Sequence, residues 1–163
     1  MSSTLRMRRG LFDRLLGDHR DVPDGVTPTF NLDQLRDAVA ADLERLLNTR
    51  AALHPEHASL GAHARRSVLS FGVRDFAACV LASSEDQRHI ARTLAMAIEL
   101  HEPRLRHVHV AFRVDAATGS ALQFTVRAML VVTPFREGVS FDAVLMPAAS
   151  RYHVTQSRFV GHA

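Results

Sequence analysis

Apolar and polar positions along this chain change period near its middle, and the change separates a helical part from a sheet part. In LDQLRDAVAADLERLLNTR, Leu32, Leu35, Val39, Leu43, Leu46 and Leu47 recur at helical spacing as one apolar stripe. Asn31 stands at the N-cap position with Gln34 in place for a capping box. Arg45 and Arg50 lie near the far end, where positive charge suits the helix dipole. A second helix is predicted from Ser84 as its cap, with Glu85 and Asp86 in the first turn and Gln87 completing a capping box. Its stripe is Ile90, Leu94, Ala97 and Ile98. Pro103 cannot continue the helix, and it pushes Glu102 out of the helical region. Beyond the proline the period falls to two. Val108, Val110, Phe112 and Val114 face one way, and His107, His109, Ala111 and Arg113 the other.

Alternation continues after this first segment, 105–114, in residues 120–132 and 138–146, and more weakly in 151–159. The turn DAATGS joins the first pair, and TPFREG joins the second to the third. The predicted fold is therefore α+β, with N-terminal helices packed on one face of an antiparallel β-meander. Between Ala51 and Arg74 the pattern weakens at Pro55, Gly61 and Gly72, and Asp75 can cap a short helix, DFAACVLA. Ahead of the first long helix, residues 1–9 read as a basic arm and 17–30 as a linker rich in Asp, Gly and Pro. Leu11, Phe12, Leu15 and Leu16 in GLFDRLLGD make an amphipathic turn too short to stand alone. It docks either on its own domain or on a partner. The organisation expected is a flexible arm, 1–30, and a single α+β domain, 31–163.

Composition narrows the class. A chain of 163 residues with 47% hydrophobic content supports a real core. Mean hydropathy of -0.03 fits a soluble globular protein. No apolar run approaches the ~20 residues of a membrane helix, and MSSTLRMRRG has no apolar segment behind it to make a secretory signal. The single cysteine, Cys79, fits a reducing, cytoplasmic setting. All 20 basic side chains are arginine, which pairs carboxylates bidentately and suits interfaces. A net charge of +3 does not point to nucleic acid.

The sharpest chemical feature is the pair Glu102 and Arg104 flanking Pro103, a carboxylate and a guanidinium at the joint between helix and sheet. They either pair within the domain, pinning the helix end, or present charge to a partner. Sheltered charge-assisted bonds of that kind are worth about 1.5–3 kcal/mol each. Other chemistries fare worse. Glycoside hydrolysis needs two carboxyls ~5–9.5 Å apart across a sugar cleft. Near the sheet segments the candidate acids are Glu102, Glu137 and Asp142, and the chain has no Trp and one Tyr. For metal binding, His54 and His57 lie beside Pro55 in a loop, and His107 and His109 share a strand face, but no third ligand is evident from a neighbouring strand, since Thr125 and Arg127 offer none. LRMRRG and Arg65–Arg66 are basic but lack interleaved aromatics for base stacking. No enzyme, cofactor, metal, nucleic acid or small-molecule substrate is expected.

Taken in order, GLFDRLL, DLERLLNTR at 42–50, SVLSFGVRDF at 67–76, HEPRLRHVHV at 101–110 and VSFDAVL at 139–145 resemble the TssE family of type VI secretion baseplate subunits. That family is itself similar to a wedge protein of contractile phage baseplates. The resemblance covers roughly residues 10–155. Two positions depart from the family pattern: His101 stands where an aromatic such as Phe is frequent, and Phe71 where Tyr is usual. The resemblance implies a structural protein that joins wedge subunits of the TssF, TssG and TssK types in a baseplate docked at the inner-membrane complex. It also implies seeding of the first sheath ring through strand exchange with sheath subunits. Such exchange needs an open sheet edge, and a meander ending in a polar strand leaves one. Glu102, Pro103 and Arg104, with Leu11, Phe12, Leu15 and Leu16, are the expected partner-binding residues. A small adaptor or inhibitor binding one partner reversibly is the alternative, and a peptidoglycan hydrolase a remote one.

Overall fold

The structure, a computed structural model, describes residues 31–52, 61–73, 83–113, 123–146 and 151–157. By internal contacts the chain divides between Val39 and Ala40 into two units, and the division falls inside the first helix. That helix, α1, spans Leu32–Leu47. Its start is the reciprocal capping box expected: Gln34 N–H donates to Asn31 Oδ1 at 2.8 Å, and Asn31 N–H donates back to Gln34 Oε1 at 3.0 Å. Leu35, Val39, Leu43, Leu46 and Leu47 are buried, as the stripe required.

The second helix, α2, runs Ser84–His101, and its cap is Ser83 rather than Ser84. Ser83 has an extended backbone, and its hydroxyl accepts from Asp86 N–H at 3.3 Å. Two adjacent serines offer the same chemistry, so only the backbone decides which is the cap. Ile90, Leu94 and Ile98 are buried. The helix ends at Glu102, whose N–H still reaches Ile98 O at 2.8 Å before Pro103 turns the chain.

Four strands follow, β1 Leu105–Arg113, β2 Gln123–Val132, β3 Phe135–Met146 and β4 Arg151–Ser157, antiparallel and in sequence order. The predicted α+β architecture holds, with helices on an antiparallel meander. Helix α2 packs along β1, and the part of α1 from Ala40 onward is tied to β4 by side-chain bonds. The sheet's buried positions alternate as predicted: Phe124, Val126, Ala128 and Leu130 on β2, and Val139, Phe141 and Ala143 on β3.

Two local expectations need correction. The β2–β3 connection is only Thr133–Pro134, a cis peptide, with Val132 paired to Phe135, so FREG belongs to β3. In β1 the alternation is interrupted. Arg106 pairs with Met129 but His109 with Arg127, so one extra residue bulges out, and His107 has φ +54°. The bulge shifts the inward positions from Leu105 to Val110, both buried. His107 and His109 therefore do not form the regular same-face pair that simple alternation gave. The 115–120 turn and the 75–82 helix lie outside the described residues.

An isolated bridge joins the segment just after α1 to the segment ending at Val73. Arg50 pairs with Val73 in parallel, through Val73 N–H to Thr49 O at 2.8 Å and Ala51 N–H to Val73 O at 3.1 Å. Gly72 makes this possible. Its φ is +119°, and a Cβ there would lie 2.4 Å from the Thr49 carbonyl oxygen.

Candidate partner-binding site at the helix–sheet joint

Glu102 and Arg104 stand on either side of Pro103, and the turn folds one side chain onto the other. Arg104 Nε–H donates to Glu102 Oε1 at 2.7 Å, and Nη2 donates to Oε2, a bidentate fork. Glu102 Oε1 also accepts from the backbone N–H of Arg104 at 3.1 Å, so the carboxylate caps its own turn. Leu105 N–H donates to Glu102 O at 3.0 Å, and Val131 N–H to Arg104 O at 2.8 Å, which welds the joint to β2. A third residue completes the group: Arg104 Nη2 donates to Asp42 Oδ2 on α1. Asp42 also pairs with Arg45 one turn along.

Glu102 is 5% exposed, one of two buried polar residues in the described part. A carboxylate there is tolerable only because the Arg104 guanidinium and the Arg104 backbone N–H bond it. Burial by itself lowers the pKa of the Arg104 guanidinium. The hydrogen bonds and charges of Glu102, then of Asp42, more than offset this and raise it. The proton stays on the guanidinium throughout the accessible pH range.

The joint is not closed to the outside. Pro103 is exposed, and the Arg104 side chain keeps 23% of its surface. Arg104 spends Nε and Nη2 inside the fold, whereas Nη1 makes no bond among the described residues.

The segment DLERLLNTR now has a physical account. Leu43, Leu46 and Leu47 are buried, while its polar residues reach distant strands. Asp42 holds Arg104, Glu44 accepts from Val154 N–H at 3.0 Å, and Asn48 bonds both backbone groups of Tyr152 at 2.8 Å. The residue that sequence reasoning missed at the joint is thus Asp42 on α1, with Glu44 on α1 and Asn48 just past its end missed at β4. A usable signal was present: three polar residues interleaved with a leucine stripe on a helix's inner side.

The two departures from the family pattern, Phe71 and His101, are neighbours. Their rings meet edge-on with centroids 5.4 Å apart, and His101 Nε2–H donates to the Ser70 carbonyl at 2.9 Å. Leu11, Phe12, Leu15 and Leu16 lie outside the described residues, as do His54 and His57. His107 and His109 are exposed, and no group of three or more metal-ligating side chains occurs among the described residues. Asp142 accepts from Thr125 Oγ1 at 2.7 Å and lies 3.9 Å from Arg113, and Glu137 sits in β3 opposite Leu130. No described helix is long and apolar enough to cross a membrane.

Comparison with the curated proteins finds no match. Among solved structures, a chain of "The baseplate complex from the type VI secretion system" is similar at 15% identity. The match covers 70% of this chain and 96% of that one at a TM-score of 0.49, and it adds no argument of its own. The family model "Baseplate wedge protein gp25" matches residues 33–134, a span holding α1, the Glu102–Arg104 joint, β1 and β2. More than half of the sequence lies within that match, and the chain belongs to the baseplate wedge protein gp25 family, the family of TssE.

Proposed function

We propose that this chain is a structural subunit of a type VI secretion baseplate, joining wedge components of the TssF, TssG and TssK types and seeding the contractile sheath. Family membership supports a baseplate subunit with other baseplate subunits as partners. The observation that carries the finer reading is the half-used guanidinium of Arg104. Glu102 and Asp42 hold it rigid, while Nη1 and the exposed Pro103 beside it offer a preorganised donor surface. A donor already immobilised loses little entropy when a partner's carbonyl or carboxylate binds it.

In this reading the domain spans 31–163, and the arm, 1–30, docks on a partner through Leu11, Phe12, Leu15 and Leu16. The place of action is the cytoplasmic face, in a baseplate docked at the inner-membrane complex. No catalysis is involved: the buried Glu102 carboxylate is engaged by Arg104 and the turn, so it is in no position to serve as a general acid.

The test is recovery of partners with a tagged chain, comparing wild type with Arg104→Lys. Lysine keeps the charge that answers Glu102 but lacks the second amino group of the fork. Recovery of baseplate and sheath subunits with wild type, and its loss in a folded Arg104→Lys variant, is the expected result. Equal recovery would move the contact elsewhere. A single partner outside a baseplate would favour the adaptor reading.

A further inference from the structure

The outer edge of β4, the polar last strand expected to leave an open edge, is instead occupied by side chains at Tyr152 and Val154. In an antiparallel edge strand, alternate residues turn both backbone groups away from the neighbouring strand. On β4 these include Tyr152, both of whose backbone groups bond Asn48 just past α1, and Val154, whose N–H bonds Glu44 on α1. Asn48 Nδ2 donates to Tyr152 O and Asn48 Oδ1 accepts from Tyr152 N–H, both at 2.8 Å, the same two-bond ring that a neighbouring strand would close. The Asn48 amide is held in that orientation by a further bond to Glu44 O at 2.8 Å. One turn earlier, Glu44 Oε2 accepts from Val154 N–H and from His153 Nδ1–H, each at 3.0 Å.

The strand itself carries little protection against pairing. Arg151–Ser157 contains no proline, no lysine and no bulge in its pairing with β3. Laid antiparallel against its own copy about Val154, it sets Arg151 opposite Ser157, Tyr152 opposite Gln156 and His153 opposite Thr155. No like charges oppose one another. Such a two-fold contact is self-complementary and closes as a dimer.

We infer that Asn48 and Glu44 are edge guards: they stand in for a fifth strand and prevent a second copy of this chain from extending the sheet at β4. The inference does not depend on the baseplate reading. β1 carries a different protection, a bulge whose Val108 N–H is taken by Glu99 Oε1 at 3.0 Å.

The test compares the full chain with Glu44→Ala/Asn48→Ala by sedimentation equilibrium, and by anisotropy of a labelled peptide copying Arg151–Ser157. The guarded chain leaves the peptide free. The double variant, folded by circular dichroism, binds it and gains mass toward twice that of the chain, and Glu44→Gln alone, which keeps an acceptor, does neither. A folded double variant that ignores the peptide and gains no mass overturns the inference, as does a wild type that binds the peptide equally well. If the double variant fails to fold, Asn48→Asp serves instead. It keeps the acceptor for Tyr152 N–H but sets a carboxylate against Tyr152 O, and it must bind the peptide more tightly than wild type for the inference to stand.

Discussion

Arg104 at the start of the sheet bonds Asp42, 62 residues earlier on the first helix, while its other bonds go to Glu102 two residues away. One guanidinium therefore ties two helices and a strand together at a single point.

Removing Glu102 should be costly. Glu102→Ala leaves Arg104 half-buried with only the Asp42 carboxylate and frees the Arg104 backbone N–H. Losing one partner of a buried pair costs about 3–5 kcal/mol, and the partial exposure of Arg104 puts the expected loss near the lower end. Urea unfolding checks this. A loss below about 1 kcal/mol would mean that water already solvates the pair.

Gly72 should not tolerate a side chain. Alanine would have to hold φ near +119° with its Cβ against the Thr49 carbonyl, so the Arg50–Val73 bridge must open. The expected destabilisation is about 3 kcal/mol, from backbone strain together with two lost hydrogen bonds. Thermal melting of Gly72→Ala tests it, and a wild-type midpoint would refute the close approach.

The cap of α2 can be located by paired substitutions. Ser83→Ala removes the acceptor for Asp86 N–H and should cost about 1 kcal/mol, whereas Ser84→Ala should be close to neutral. The reverse order would place the helix start one residue later.

Tyr152 should report on alkaline unfolding. Burial against Phe124, ring centroids 5.7 Å apart, raises its pKa above the ordinary 10.0. A folded pKa above the unfolded one means stability is fully present below pH ~10 and is lost as pH rises from there through the folded value. The chain has one tyrosine and no tryptophan, so tyrosinate absorbance follows this residue alone. Titration of the folded protein should show a midpoint above that of the urea-unfolded chain, with melting temperature falling over the same interval. Coincident midpoints would contradict the burial.

What the sequence by itself determined was whatever depends on neighbours along the chain. Leucine spacing set α1, Asn31 with Gln34 set its start, Pro103 ended α2, and period-two alternation set the buried positions of β2 and β3. Glu102 and Arg104 were legible as a pair because they flank one proline. The tertiary structure decided what depends on distant partners or on backbone choices of nearly equal energy. Ser83 and Ser84 offer identical hydroxyls, so the chain's approach to the helix chose between them. The bulge at His107 lies where β1 pairs with β2 and its Val108 N–H meets Glu99 of α2, contacts that no local alternation encodes. Asp42, Glu44 and Asn48 read locally as the polar residues of a helix. Only when the chain brings α1 against Arg104 and β4 do they become an ion-pair partner and the guards of a sheet edge.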